Sequence, residues 1–289
     1  MPTYRLTLEY EGTRYRGWQE QKNARTVAGE LRRALEARIG ARVELGGAGR
    51  TDAGVHALEQ VAHLRTAAAL RDLEELAAEV NESLPADVHL LDLSPAPERF
   101  HARHQAILRS YLYQVCRRRT ALGKRFVWWV RRPLDAPAMA SAAAQLAGRH
   151  DFAAFCERAE EQTSTLVVVE RAEVGESGDL VLVRIAASHF LWKMVRRLVG
   201  ALVAVGAGEL DGAGLVDLLA GRTGGGRFRP AEATAPPSGL FLERVIYEGD
   251  PPLAPLAPAL PVAAARAPRR PASRPPAGGR PARTRPGRR

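Results

Sequence analysis

From Thr3 to Tyr10 apolar and polar residues alternate without a break. Tyr4, Leu6, Leu8 and Tyr10 fall on one side, and Thr3, Arg5, Thr7 and Glu9 on the other. A period of two predicts a strand with one face buried. After a turn at Glu11-Gly12-Thr13 the period changes. Val27, Leu31, Ala34 and Leu35 recur at helical spacing behind Thr26, a capping residue, and Gly40 stands where such a helix ends. Short strands are expected near residues 42–45 and 60–65. Asp72-Leu-Glu-Glu75 has the form of a capping box for a helix carrying Leu73, Leu76, Val80 and Leu84 and stopped by Pro85. A strand near residues 88–93 completes a first half, and residues 94–105 cross over to a second.

The second half repeats the same succession. Residues 106–117 alternate, with Ile107, Arg109, Tyr111, Tyr113 and Val115 on one face. Asp135 and Pro137 suit the start of a helix. Strands are expected at 166–174 and 180–185. Leu191, Val195, Leu198, Leu202 and Val205 predict a helix over 190–205. A shorter helix near 214–220 precedes a glycine-rich loop at 221–230, and 240–247 alternates as a last strand. Strand–helix–strand–strand–helix–strand, run through roughly twice, points to an α+β protein. Two related halves, 1–105 and 106–249, would carry largely antiparallel sheets flanked by helices. The repeat is one of element order; no residue-level repeat is visible.

Composition changes this picture only at the end of the chain. Eleven of the 20 prolines lie in the last 40 of the 289 residues, among alanines and arginines. Such a segment buries too little apolar surface to offset its ordering entropy, so 250–289 reads as a disordered tail. Nine arginines against one acid give that tail a charge of +8, leaving only +2 of the chain's +10 for residues 1–249. Any nucleic-acid surface on the body therefore has to come from local clustering rather than bulk charge. The opening residues MPTYRLTLEY hold no apolar leader, and the apolar run at 198–208 is broken by glycines and too short to span a bilayer. With Cys116 and Cys156 as the only cysteines, a reducing cytoplasm and no membrane are expected.

The densest chemistry sits in GAGRTDAGVHA, residues 47–57. One carboxylate, Asp52, lies between Arg50 and the small-residue turn Ala53-Gly54. A single acid argues against a paired-carboxylate glycosidase, and no Gly-Lys-Ser/Thr follows to make a phosphate-cradling loop. An Asp on a tight turn beside an arginine is suited to act as a nucleophile. In a glycine-rich loop the same residue also serves to cap a helix or close an Asx-turn. There is no His/Cys cluster with metal-ligand spacing and no dinucleotide fingerprint, so neither a metal nor another cofactor is expected.

The eleven-residue run resembles the signature loop of the tRNA pseudouridine synthase A family, in which the Asp of GRTDAGVH is catalytic. The resemblance extends from about residue 3 to 248. It takes in GWQ at 17–19, RFHAR at 99–103, RSY at 109–111, HDF at 150–152, MVR at 194–196 and SGL at 238–240. One departure is Ala28, where relatives commonly carry Gln. The resemblance implies a pseudouridine synthase fold with the active-site cleft between its halves. It implies isomerisation of uridines 38, 39 and 40 in the anticodon arm of tRNA by a homodimer, without a cofactor. It assigns Asp52 as nucleophile, Tyr111 as the residue that stacks on the target base, and Arg196, first of the Arg196-Arg197 doublet, as the arginine that reaches Asp52. Leu240 would pack on the base opposite Tyr111. Arg50 would pair with Asp52 or help hold the nucleotide out of its stack. His56 is expected to be structural or RNA-facing, Arg109 to meet a phosphate, and Arg197 to lie on a solvated basic face. The alternatives on the same residues are a non-catalytic RNA-binding protein and, further off, a carbohydrate hydrolase.

Overall fold

The computed structural model describes residues 1–67, 69–157, 164–222 and 228–262. Among these residues, ten strands are joined by five α-helices: β1 (Thr3–Tyr10), α1 (Val27–Ile39), β2 (Glu44–Gly47), β3 (His56–Arg65), α2 (Leu73–Ser83), β4 (Val88–Ala96), β5 (Leu108–Cys116), β6 (Trp128–Trp129), α3 (Ala136–Ala144), β7 (Gly148–Asp151), β8 (Leu166–Ser177), β9 (Leu180–Ala187), α4 (Met194–Gly206), α5 (Gly212–Leu219) and β10 (Leu240–Ile246). The expected α+β architecture is present, and the largely antiparallel strands form one sheet rather than two. Its order is β4-β1-β3-β10-β5-β9-β8-β7, with β2 on β3 and β6 on β5. The last strand lies at the seam, parallel to β3 and antiparallel to β5. The first four strands and β5 to β9 are thus bridged by the chain's final strand.

Local rules account for most boundaries. The Thr26 hydroxyl accepts from the Gly29 amide and opens α1, and Gly40 closes it at φ 72°. Asp135 and Asp211 likewise cap α3 and α5. Asp72 does not form the expected box: its backbone is left-handed, φ 48°, and its side chain makes no cap bond, so α2 begins without a side-chain cap, with Glu74 and Glu75 in its first turn. The helix expected from 190 starts at Met194, because Lys193 is also left-handed, φ 61°. Strands β6 and β7, two and four residues long, were too short to show a period.

The chain does not leave the fold at Gly249. Leu256, Ala259 and Val262 pack on a second apolar cluster of Leu112, Cys116, Val127, Leu180 and Leu182. This cluster lies on the face of β5 opposite Tyr111 and Tyr113. Residues 251–262 thus form a strap, and they explain why β5 is buried on both faces along almost its whole length and β9 throughout. Proline-rich backbone has few N–H groups to satisfy, and its carbonyls are taken by Arg184, which donates to Ala254 at 3.0 Å and Pro255 at 3.4 Å. Arg184 is itself buried, with Glu243 (2.5 Å) and Glu173 (3.1 Å) as ion-pair partners. The tail expected from composition therefore begins with an ordered, docked stretch; residues 263–289, and 223–227 of the glycine-rich loop, lie outside the described residues.

The crossover is pinned by a histidine. His63 Nδ1 accepts from the Ala102 amide at 3.2 Å, so its proton sits on Nε2, 3.8 Å from Glu44. Burial pushes its pKa down to about 4, and the neighbouring His101 and Arg65 act in the same direction. The folded value lies below the unfolded one, near 6.5, so the contribution of neutral His63 is complete above that pH and is lost as pH falls toward 4. The denaturation midpoint should therefore drop between pH 7 and 4.5, and His63→Gln should show a smaller drop. Equal drops in the two proteins would remove His63 as the source.

Candidate active site

The Asp52 loop joins β2 to β3 and is fixed from four sides. The Tyr10 and Thr51 hydroxyls are hydrogen-bonded at 2.8 Å, and burial pushes the Tyr10 pKa up to about 12. Gln60 donates to the Gly49 carbonyl at 3.0 Å. The Trp18 amide donates to Thr51 and the Gly54 amide to Tyr15. Gly17, at φ 94°, lies so close that a Cβ there would collide with the Thr51 carbonyl. The loop is a rigid mount for one carboxylate.

Three backbone groups anchor its far end through His56. Its Nδ1 accepts from the Gly12 amide at 3.0 Å, which leaves the proton on Nε2 for the Arg125 and Ser238 carbonyls at 2.9 and 3.2 Å. The ring stacks on Phe241, centroids 4.9 Å apart, and burial lowers its pKa, which favours the neutral form these bonds require. Of the two expected roles, the structural one describes it.

Arg196, in the first turn of α4, brings its Nη1 to 3.3 Å from Asp52 Oδ2. Its Nε donates to the Ala235 carbonyl at 2.7 Å, and the Ala235 amide donates back to the Arg196 carbonyl. The 233–235 segment can lie on the helix because residue 200 is glycine; a Cβ there would collide with the Ala233 carbonyl. Arg50, expected as a possible ion-pair partner of Asp52, is instead exposed on the loop, and the pairing is made by a residue 144 positions away. Arg197 is not solvated as expected: its side chain is largely buried, donates to the Cys156 carbonyl and lies 3.5 Å from Glu157.

Tyr111 sits on β5 facing this pair. It is buried, meets the Phe190 ring edge-on at 5.0 Å, and its hydroxyl pKa is raised by burial and further by nearby Tyr10 and Asp52. Across the seam, Leu242 of β10 is its register partner, and Leu240 is that of Tyr113. Leu240 is buried on the same side of the sheet. Tyr113 is a packing residue whose hydroxyl donates to the Pro236 carbonyl at 2.7 Å. The structure thus brings Asp52 and Arg196 together near Tyr111, sets Leu240 on the neighbouring strand in register with Tyr113, and leaves Arg50 exposed on the loop.

Arg109 has a different role from the phosphate contact expected for it. It is buried and donates to four backbone carbonyls: Ala48 before the Asp52 loop, Arg103 and Ala106 of the crossover, and Ser188 ahead of α4. The alternation of β5, which put an arginine in line with Tyr111 and Tyr113, was the signal. Only a guanidinium offers donors in a rigid fork for so many acceptors; an ammonium is a point. Arg109→Lys should lower stability by about 2–4 kcal/mol, on the basis of about 1.5–3 kcal/mol per lost charged hydrogen bond. It should also slow turnover at least tenfold. Unchanged melting and turnover would remove Arg109 from the site's framework.

Among the described residues, no group of three or more His, Cys, Asp or Glu side chains is placed to hold a metal ion. Among the described residues, no helix is long and apolar enough to cross a membrane.

The model of the tRNA pseudouridine synthase family matches residues 7–105 and 142–248. The tRNA pseudouridine synthase A of Sinorhizobium fredii is 40% identical over 255 residues, covering 86% of this chain and 100% of the relative. That of Nitrobacter winogradskyi is 41% identical over 256 residues, with 88% and 98% covered. That of Methylococcus capsulatus is 42% identical over 246 residues, with 84% and 88% covered.

Proposed function

The chain belongs to the tRNA pseudouridine synthase family of isomerases, and from that premise we propose that it converts uridines 38, 39 and 40 of the tRNA anticodon arm to pseudouridine with Asp52 as nucleophile. The observation that carries the assignment is the Asp52–Arg196 pair, assembled from distant parts of the chain opposite Tyr111. The carboxylate is about a quarter exposed, accessible to a substrate yet held in one orientation by the guanidinium. Arg196 is itself held by Ala235.

The reaction conserves composition. The bond from ribose C1′ to uracil N1 breaks, the ring turns, and a bond from C1′ to C5 forms; C5 gives up a proton and N1 gains one. No electron acceptor or group donor is consumed. What the protein supplies is a nucleophile for the interval in which base and sugar are apart, and surfaces that keep the base. Asp52 is the nucleophile. Tyr111 and Leu240 are apolar walls for the base, which has lost its stacking neighbours by leaving the RNA helix. Arg50, exposed on the loop, is the residue we assign to fill the space the base vacates. The work is done in the cytoplasm by a homodimer, which gathers positive charge from two mildly basic bodies.

Incubating the protein with unmodified tRNA and mapping pseudouridine along it tests this reading. Conversion confined to 38, 39 and 40 is expected. Conversion elsewhere overturns the site assignment, and tRNA binding without conversion favours the non-catalytic alternative.

A further inference from the structure

Residues 188–193 connect β9 to α4, and the site holds this segment at both ends. The Ser188 carbonyl accepts from Arg109 at 2.7 Å, Phe190 abuts Tyr111, and just beyond the segment Arg196 meets Asp52. Between these fixed points Trp192 is 47% exposed, whereas Trp18 is buried and Trp128 and Trp129 are partly buried. The exposed indole is held in place. The Trp192 carbonyl accepts from the Glu157 amide at 3.0 Å, and Lys193 Nζ lies 4.9 Å from the ring centroid. Lys193 is in turn ion-paired with Glu157 at 2.5 Å.

The backbone is strained at the same place. Lys193 adopts φ 61°, a left-handed conformation that is unfavourable for a residue bearing a side chain. Strain of this kind persists where surrounding contacts over-determine it, and it gathers at functional sites. Here it ends the loop and leaves Trp192 outside the first turn of α4. Trp192 adds little to the core. It offers a flat π surface with a cation against it, which matches an unstacked nucleobase and its phosphate.

We propose that Trp192, backed by Lys193, is a stacking platform for an unpaired base of the tRNA next to the target uridine. The proposal rests on the assignment of tRNA as substrate. Three residues separate Trp192 from Arg196, so their Cα atoms, four steps along the chain, are at most about 14 Å apart. That keeps the platform within one or two nucleotides' reach of the target's pocket.

The full-length chain, Trp192→Phe and Trp192→Ala would each be titrated with unmodified tRNA, reading both affinity and indole fluorescence. Single-turnover conversion would be measured at saturating enzyme. Tryptophan fluorescence of the unsubstituted chain should be quenched on binding, and most of that quench should vanish in Trp192→Phe while affinity stays within about threefold, since Phe retains a stacking face. Trp192→Ala should bind about tenfold more weakly or worse, with its saturating conversion rate within about threefold of normal. An affinity unchanged in Trp192→Ala, or a quench unchanged in Trp192→Phe, overturns the platform. Should Trp192→Ala fail to fold, the quench in Trp192→Phe decides alone. If the unsubstituted chain makes no pseudouridine in tRNA, it is the underlying assignment that fails, and the two failures are distinct.

Discussion

Asp52→Asn is expected to abolish pseudouridine formation, lowering the single-turnover rate by at least about 10⁴-fold, the scale seen when a catalytic nucleophile is removed. Affinity for tRNA should stay close to normal. Asn has nearly the size and turn-forming ability of Asp, and the loop is held by Tyr10, Gln60, Trp18 and Tyr15 rather than by the carboxylate. The substitution therefore removes the charge while sparing the mount. Arg196 keeps its bond to Ala235 when Asp52 is neutral, so α4 should not shift. Mapping pseudouridine in tRNA treated with Asp52→Asn checks the expectation. Wild-type rates in that variant would require another nucleophile, and a parallel loss of tRNA binding would recast Asp52 as a structural residue.

The parts of this molecule that follow local rules were legible before the fold. The period-two alternation of residues 3–10 became β1, and Thr26 and Gly40 bound α1 as caps do. Asp52 was legible through the order of residues around it. Its partner Arg196 was legible only through the resemblance, not from local spacing. Sequence proximity favoured Arg50, but pairing is decided in three dimensions, and α4 delivers Arg196 across the seam instead. Asp72 shows the converse failure: a well-formed capping box in sequence, overridden by a left-handed backbone. Trp192 and Lys193 read as the first turn of a helix until φ at Lys193 placed them outside it.

The largest misreading came from treating proline-rich composition as the absence of structure. Alternation in β5 suggested one buried face, and a second cover over β5 and β9 was not foreseen. Leu256, Ala259 and Val262 provide it, though composition alone made them part of a disordered tail. The strap's polar anchor, Arg184, stands on β9 between these covers. With both faces covered, it had to be satisfied internally, and it is: by Glu243, Glu173 and two carbonyls of the strap.

That arrangement makes Arg184→Met the substitution with the largest expected effect on stability. Met fills much of the same volume but leaves the carboxylate of Glu243 without its partner and two strap carbonyls without a donor. Ser110 still donates to Glu243 at 2.7 Å, which is a partial remedy. Breaking a buried pair from one side costs about 3–5 kcal/mol, because the remaining charge is uncompensated. For a chain of this size that is a fall in melting temperature on the order of 10 °C. The strap should loosen before the sheet does, since it gives up its polar anchors and keeps only its apolar contacts. Thermolysin, which cuts at exposed leucines, should then nick residues 251–262 in Arg184→Met under conditions that leave the unsubstituted chain intact. Removing both ends of the pair, Arg184→Met with Glu243→Met, should restore part of the lost stability, since an apolar pair in a dry site leaves no charge to solvate. Calorimetry of the three proteins separates the cases. If Arg184→Met melts within 2 °C of the unsubstituted chain, the strap is held by its leucines and prolines alone.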